Sequence, residues 1–332
     1  MFNNKNILIT GGTGSFGNAF CSHLIKKYKK INKIVIYSRD EFKQYEMQKK
    51  FPYKNFRFYL GDVRDKSRLL RALDSIDFVI HAAALKQVDK AEKNPMEAIK
   101  TNVLGAQNII DCCLDSKVSN VIALSTDKAS SPINLYGATK LCSDKLFVTA
   151  NNIKGQKKIK FSVVRYGNVL GSRGSVLPLF MKQSKKNLFT ITDTEMTRFN
   201  ITLREGVEFV DWGIKNNFGG EIFVPKIPSF KVTDLVKAIK PNAKIKIIGI
   251  RQGEKIHEEM VSESESLNTI ETKKSYIILN NVSSKDLTKI KKFHKAKKVK
   301  KAFRYSSDIS ENLINVGAIK NILNRHFKEI KK

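Results

Sequence analysis

Eight residues near the amino terminus, Thr10-Gly11-Gly12-Thr13-Gly14-Ser15-Phe16-Gly17, restrict the possible folds of this chain more than any other stretch. They follow a short apolar run, Asn6 to Thr10, and precede an amphipathic one. Gly11, Gly14 and Gly17 recur every three residues, a spacing that serves a tight turn, a close backbone approach to a pyrophosphate and close packing of helix on sheet. Amides at the helix start then face phosphate charge. With Thr13, Ser15 and Phe16, these glycines are the expected cradle of a dinucleotide.

The same rhythm continues. Apolar runs at Lys33 to Ser38, Phe56 to Leu60, Phe78 to His81, Val121 to Ser125 and Phe161 to Tyr166 alternate with amphipathic stretches, which predicts parallel strands joined by crossover helices. The expected fold is α/β, a doubly wound Rossmann sheet over residues 1–167. A smaller substrate lobe is expected over 168–332, with some chain able to return to the sheet. Two more strands are expected there, at Glu221 to Val224 and Lys244 to Ile250. Ligands of such folds bind at the carboxyl ends of the strands, where a lobe can cover them.

Composition excludes more than it identifies. No apolar run approaches the roughly 18 residues of a membrane span, and the chain enters a strand too early for a signal peptide, so a cytoplasmic location is expected. Cys21, Cys112, Cys113 and Cys142 have neither metal-ligand spacing nor a secreted-protein pattern and read as reduced packing residues. The net charge of +30 could attract polyanions. Its lysines are dispersed without an aromatic-interleaved motif, however, so a compositional origin is preferred and no nucleic-acid partner is expected. Lys285 to Lys301, with nine lysines and one acidic residue, reads as a solvated helix face or a basic tail.

Cofactor selectivity is set where the second strand ends, at Tyr37-Ser38-Arg39-Asp40. Ser38 and Arg39, with Lys43 beyond them, suit the ribose 2′-phosphate of NADP, whereas an acidic residue there favours NAD. NADP is therefore the expected cofactor, with Asp40 able to pair with Arg39 and begin the next helix as a cap. Asp62 and Val63 follow the third strand, where the adenine edge is expected. Ala82, within His81-Ala82-Ala83-Ala84, can let the cofactor backbone pass or serve only packing. Lys86, just beyond, can face a ligand phosphate.

Chemistry is concentrated after the fifth strand, in Thr126-Asp127-Lys128 and then Tyr136 and Lys140. The last two are four apart and share a helix face. A neighbouring ammonium and an oxidised nicotinamide both lower a phenol's pKa, so tyrosinate can take a hydroxyl proton as hydride leaves the same carbon.

With these residues in order the chain resembles the extended short-chain dehydrogenases/reductases. More closely, it resembles the inverting UDP-N-acetylglucosamine 4,6-dehydratases that begin pseudaminic acid synthesis for flagellin glycosylation. The likeness runs from about residue 5 to 260 through TGGTGSFG, YSRDE, GDVRD, HAAALK, TNVLGA, ALSTDKASSPINLYGATK, VVRYGNVLGSRGSV, ITDTEMTRF, GGEIFVPKIPS and IGIRQGEKIHE. Lys128 where soluble relatives carry glutamate, with Tyr136 where long membrane-anchored relatives carry methionine, points to the inverting class.

The resemblance implies that Tyr136 takes the carbon 4 hydroxyl proton, Lys128 the carbon 5 proton, and that Asp127 protonates the departing carbon 6 hydroxyl. It implies that Thr126 bonds the carbon 4 oxygen and that Leu124 and Ser125 border the sugar. Asn168, Thr192, Arg251 and Glu254 are implied in UDP-sugar contact, with Arg173 and Arg198 as further phosphate partners. It also implies NADP as cofactor, with Tyr136 and Lys140 touching it, and a homo-oligomer. Neither His81 nor His257 has metal spacing, so no metal is expected. Asn102 is either an ordering polar group or a satisfied helix residue. One tension follows: Lys140 and oxidised nicotinamide would push Lys128 down, as a base requires, yet would also keep the proton donor Asp127 ionised. A sugar epimerase on the same scaffold and a non-catalytic NADP-binding regulator are the alternatives.

Overall fold

The computed structural model describes residues 1–172, 175–280, 282–309, 311 and 313–330, with 328–330 described by backbone alone. The first half alternates as its apolar runs require: β1 (Asn6–Thr10), α1 (Ser15–Lys27), β2 (Lys33–Ser38), α2 (Glu41–Lys50), β3 (Phe56–Leu60), α3 (Lys66–Ala72) and β4 (Phe78–His81). Ile7, Leu8 and Ile9 of β1 are all fully buried, as in a central parallel strand covered on both faces. α1 turns Gly17, Phe20, Cys21 and Leu24 inward, the three- and four-residue spacing of one helix face.

Between β4 and the next strand, α4 (Val88–Lys93) and α5 (Pro95–Ile99) lead through a π-helical turn, Lys100–Leu104, into α6 (Gly105–Leu114). β5 (Asn120–Thr126) ends in a 3-10 turn, Asp127–Ala129, before α7 (Leu135–Ile153) and β6 (Lys160–Tyr166). Every neighbouring pair in the order β3-β2-β1-β4-β5-β6 is parallel. The winding reverses between β1 and β4, so their carboxyl ends open the crevice where such sheets bind ligand.

The second half continues with β7 (Asn168–Val169), α8 (Val176–Ser184), β8 (Leu188–Ile191), β9 (Thr197–Ile201), α9 (Leu203–Asn216), β10 (Glu221–Pro225), β11 (Ser229–Lys231), α10 (Val232–Ile239) and β12 (Lys244–Ile247). It ends with β13 (Glu259–Val261), α11 (Glu263–Ser266), β14 (Thr269–Glu271), β15 (Ser275–Leu279), α12 (Ser284–His294), β16 (Lys297–Lys298), β17 (Tyr305–Ser306) and α13 (Val316–Ile330). β10 joins β6 in parallel, and β15, β14 and β16 extend that edge antiparallel, so the main sheet has ten strands among the described residues. α9 packs back on α1, where the buried Asp211 carboxylate accepts from Lys27, Tyr28 and Lys215 and pairs with His23.

What does not return to the sheet forms a second core, with Leu177 and Phe180 from α8, Phe189 and Ile191 from β8, Leu235 and Val236 from α10, and Ile319 and Leu323 from α13. The expected strand at Lys244 to Ile250 stops at Ile247, paired with β8. The lysine-rich segment folds as α12 and β16, burying Ile290 and exposing Lys285, Lys289 and Lys292. Cys21, Cys112 and Cys113 are buried as expected, but Cys142 is exposed on the outer face of α7, so it is not a packing residue. Among the described residues, no helix is long and apolar enough to cross a membrane.

Candidate active site

At the end of β1 the chain must turn under β4, and only glycine permits it. Gly11 has φ +62°, and a Cβ there would lie 2.9 Å from the Ala83 backbone. A Cβ on Gly17 would come within 2.1 Å of the Gly12 carbonyl oxygen, so α1 can lie against the turn only without one. Gly14 is the exposed N-cap of α1 with no side-chain cap, and the first helical turn holds no acid. The uncapped amides of a 13-residue helix therefore face outward beside Ser15 and Phe16, an environment that fits a pyrophosphate. The Thr10 hydroxyl accepts from the Ala82 and Ala83 amides, each at 3.2 Å, and bonds His81 Nδ1 at 2.8 Å, joining β1 to β4 under the cradle. Thr13 is buried within it.

Around the end of β2, Ser38 is buried and bonded by Gln44 Nε2 at 3.0 Å, while Arg39 is exposed. Asp40 caps α2, accepting from the Lys43 amide at 2.9 Å and pairing with its ammonium. Burial alone would raise the Asp62 carboxyl, but hydrogen bonds from Arg64 and the charge of Arg39 carry it below the ordinary range. Val63 is buried against Gly105, where a Cβ would come within 2.7 Å of it. Lys86 lies exposed on the loop after β4.

β5 delivers the reactive set. Thr126 Oγ1 donates to Asp127 Oδ1 at 2.9 Å, and Lys128 Nζ donates to the same oxygen at 3.1 Å. α7 begins at once because Asn134 caps it, accepting from the Gly137 amide at 2.8 Å. A Cβ on Gly137 would sit 2.2 Å from the Lys128 carbonyl oxygen, so this glycine lets α7 close on the 3-10 turn. Tyr136 and Lys140 are both buried, one helical turn apart. Burial pushes the Tyr136 phenol up to about 12, opposite to the lowering expected from a neighbouring ammonium, and the foremost opposing charge is Lys128 rather than Lys140. Burial lowers Lys140, and Asp144 opposes it.

Glu258 was not singled out from sequence, although it ends the IGIRQGEKIHE stretch. Its Oε1 lies 2.8 Å from Lys128 Nζ and 3.9 Å from Arg198 Nε. It changes the expected electrostatics in two ways. Burial lowers Lys128, but Asp127 and Glu258 outweigh burial and hold the ammonium above its ordinary range, opposite to expectation. Burial raises Asp127 and Glu258 adds to the effect against Lys128, so the carboxyl titrates above its usual range, opposite to the expected direction. An acidic residue near a lysine base was the available signal, but the chain offers many.

The other expected contacts divide. Ser125 donates to Asp144 Oδ2 at 2.7 Å, so its hydroxyl is committed to α7, and Arg165 pairs with the same oxygen at 3.2 Å. Leu124 is half-buried on the opposite strand face. Asn102, in the π-helical turn, bonds both backbone groups of Leu85, at 2.8 and 2.9 Å, and Thr139 Oγ1 at 3.0 Å, which makes it an ordering group. Thr192 Oγ1 donates to Glu254 Oε2 at 3.2 Å, and Arg198 lies 3.6 Å from Glu254. Both Arg198 Nη atoms bond the carbonyls of Thr197, Lys255 and Ile256, which commits it to shaping the 255–258 loop rather than to phosphate. Asn168 Oδ1 is buried without a partner in β7, and Arg251 is exposed in the loop after β12. Arg173 lies outside the described residues. No cluster of three His, Cys, Asp or Glu side chains is arranged for a metal among the described residues.

The family described as polysaccharide biosynthesis protein matches residues 7–280. The chain is similar to an inverting UDP-N-acetylglucosamine 4,6-dehydratase of Campylobacter jejuni, 57% identical over 317 residues that cover 93% of this chain and 94% of that one. It is also similar to a UDP-glucose 4-epimerase of Rickettsia bellii, 46% identical over 272 residues, 80% of each chain. Among solved structures, that of Pen from Bacillus thuringiensis is 37% identical with a TM-score of 0.88, covering 98% of this chain and 99% of that one.

Proposed function

Because the chain belongs to the polysaccharide biosynthesis protein family, within the extended short-chain dehydrogenases/reductases, we propose that it dehydrates UDP-N-acetylglucosamine. The product would be a UDP-4-keto-6-deoxy-N-acetylhexosamine with carbon 5 inverted, L-arabino. The observation that carries this reading is the Asp127–Lys128 couple, Nζ 3.1 Å from Oδ1, on the turn leading into the helix of Tyr136 and Lys140. Oxidation at carbon 4 needs only the tyrosine and lysine. An acid beside a base is what elimination adds.

NADP, held at the glycine turn with Tyr136 and Lys140 against it, would supply the acceptor for the carbon 4 hydride and its donor to carbon 6. Tyr136 takes the proton of the carbon 4 hydroxyl, with Thr126 bonded to that oxygen and Lys140 supporting the phenolate. The resulting ketone acidifies the carbon 5 hydrogen, which Lys128 removes. Asp127 protonates the carbon 6 oxygen, which leaves as water, and carbon 5 regains a proton on the opposite face. NADP is preferred over NAD because Ser38, Arg39 and Lys43 suit a 2′-phosphate, while the Asp40 carboxylate is engaged as a helix cap and by the Lys43 ammonium. Gly11, Thr13, Gly14, Ser15, Phe16, Gly17, Asp62, Val63 and Ala82 would line the rest of the cofactor. Lys86, Leu124, Ser125, Asn168, Arg173, Thr192, Arg251 and Glu254 would surround the UDP-sugar. The product is of the kind that opens pseudaminic acid synthesis for flagellin glycosylation, and we assign the chain that step, as a cytoplasmic homo-oligomer, on the resemblance alone.

Product NMR after incubation with UDP-N-acetylglucosamine and NADP in deuterated water tests the reading. A 4-keto-6-deoxy sugar with deuterium at an inverted carbon 5 is expected. Recovery of UDP-N-acetylgalactosamine alone would establish the epimerase reading, which the Rickettsia relative keeps in view, and unlabelled carbon 5 would remove Lys128 from the base role.

A further inference from the structure

The buried cluster at the end of β5 holds two carboxylates and one ammonium within hydrogen-bond reach. Asp127 and Glu258 are each 1% exposed, and Lys128 Nζ bridges them at 3.1 and 2.8 Å. Asp127 Oδ2 and Glu258 Oε2 are both buried without a hydrogen-bond partner. Glu258 is fixed by its backbone: its amide donates to Ser307 Oγ at 2.9 Å, and its carbonyl accepts from the Ser307 amide at 2.8 Å and from Ser306 Oγ at 3.2 Å. Ser306 of β17 and the residue after it, from the far end of the chain, thus hold the Glu258 backbone beside Lys128.

From this geometry we propose that Glu258 is a positioning residue of the dehydration: it is the counter-ion that holds Lys128 in place and lets Asp127 keep the proton it delivers. The inference rests on the dehydratase reading above.

Asp127 and Glu258 share the Lys128 ammonium, and two ionised carboxylates side by side are costly. The better-paired one stays charged. Glu258 has Lys128 at 2.8 Å and the guanidinium of Arg198 at 3.9 Å, and Lys255 contributes a further nearby charge. Asp127 has Lys128 and the Thr126 hydroxyl, with the neutral phenol of Tyr136 nearby. The shifts agree with this division, since burial raises both carboxyls but Lys128 and Arg198 outweigh it at Glu258 and not at Asp127. The arrangement therefore favours a proton on Asp127 over one on Glu258, with Lys128 as the ammonium between them.

The proton balance of elimination then closes. Lys128 passes one ammonium proton to Glu258 Oε1, leaving an amine and a carboxylic acid. The amine lone pair takes the carbon 5 proton, and the carbon–hydrogen electron pair forms the carbon 5–carbon 6 double bond. The carbon 6–oxygen bond breaks as the Asp127 proton moves to that oxygen, and water departs. One proton has entered the cluster from carbon 5 and one has left in water.

Glu258→Gln, Glu258→Asp and the unaltered protein are to be compared for folding, for reduction of added NADP in a single turnover with UDP-N-acetylglucosamine, and for steady-state dehydration across pH. Glu258→Gln is expected to fold and still reduce NADP, but to lose turnover by about 100-fold with KM little changed. Its alkaline limb is expected at lower pH, because Asp127, now alone beside the ammonium, ionises sooner. Glu258→Asp is expected to recover part of the rate. Unchanged turnover and pH profile in Glu258→Gln would overturn the proposal, as would a loss that follows unfolding and is not rescued by aspartate. Absence of dehydrated product from the unaltered protein would instead overturn the dehydratase reading itself.

Discussion

His81 shows how a residue just beneath the site is tuned by position rather than by type. It closes β4, its Nδ1 bonded to the Thr10 hydroxyl at 2.8 Å, and that hydroxyl also holds the Ala82 and Ala83 amides. Burial pushes the imidazole from 6.5 down to about 3, with Lys140 adding to the effect. The folded protein therefore keeps it neutral in a pH range where the unfolded chain protonates it. Between about pH 6.5 and 3 the unfolded state binds the extra proton, so stability falls as pH falls through that window, by about 1.4 kcal/mol per pH unit, and is unaffected above it. Urea denaturation at several pH values, with His81→Gln as reference, measures this. The unaltered protein should lose stability faster than the variant on acidification, and parallel slopes would mean that His81 is charged in the fold.

At the scale of elements, the reactive set depends on how closely α7 approaches the 3-10 turn after β5. Gly137 is the point of contact, and an added methyl would meet the Lys128 carbonyl oxygen at 2.2 Å. That atom is backbone and cannot swing away, so Gly137→Ala must lift the start of α7 with Tyr136 on it. A loss of about 1–3 kcal/mol is expected from such overpacking, with turnover falling further than stability because Tyr136 moves relative to Lys128. Thermal unfolding and steady-state rates on the same preparation separate the two, and a variant with unchanged kcat would show that the helix start has slack. This contact was half legible in the sequence. The strand read as Val121 to Ser125, one residue short at each end of β5, and the Tyr136, Lys140 face follow from period and spacing, because they are local. Glu258 was not legible, since it reaches Lys128 through β17, whose pairing with β13 is a long-range contact without a local pattern. For the same reason the antiparallel return of β14, β15 and β16 to the sheet edge was anticipated only as chain free to return. Arg198 reads as a phosphate partner from its position in the sequence, whereas the fold turns both its Nη atoms onto backbone carbonyls, which no local pattern signals.

For the whole molecule, the net charge of +30 has to coexist with a specific site. Its lysines are spread over exposed faces, including those of α12 and the strand after it. Such a distribution gives a broad positive field rather than a binding motif, and a broad field acts on encounter, not on chemistry. A UDP-sugar carries its negative charge on the diphosphate, so the field should raise its concentration near the crevice at the β1 and β4 ends. Salt shortens the range of that field, from about 10 Å at 0.1 M to about 3 Å at 1 M. In the proposed mechanism the moving protons belong to Asp127, Lys128 and Tyr136; Asp127 and Tyr136 are buried and Lys128 is half-buried between two buried carboxylates, so salt screens them less than it screens the surface field. Raising monovalent salt over this range should therefore increase KM for the UDP-sugar, on the order of tenfold if steering dominates capture, while kcat changes little. Steady-state kinetics at fixed pH with saturating NADP measures both. A KM indifferent to salt would mean that the excess charge is compositional and exerts no pull at the site, whereas a falling kcat would mean that salt reaches the cluster and that the lobe covers it less completely than its burial indicates.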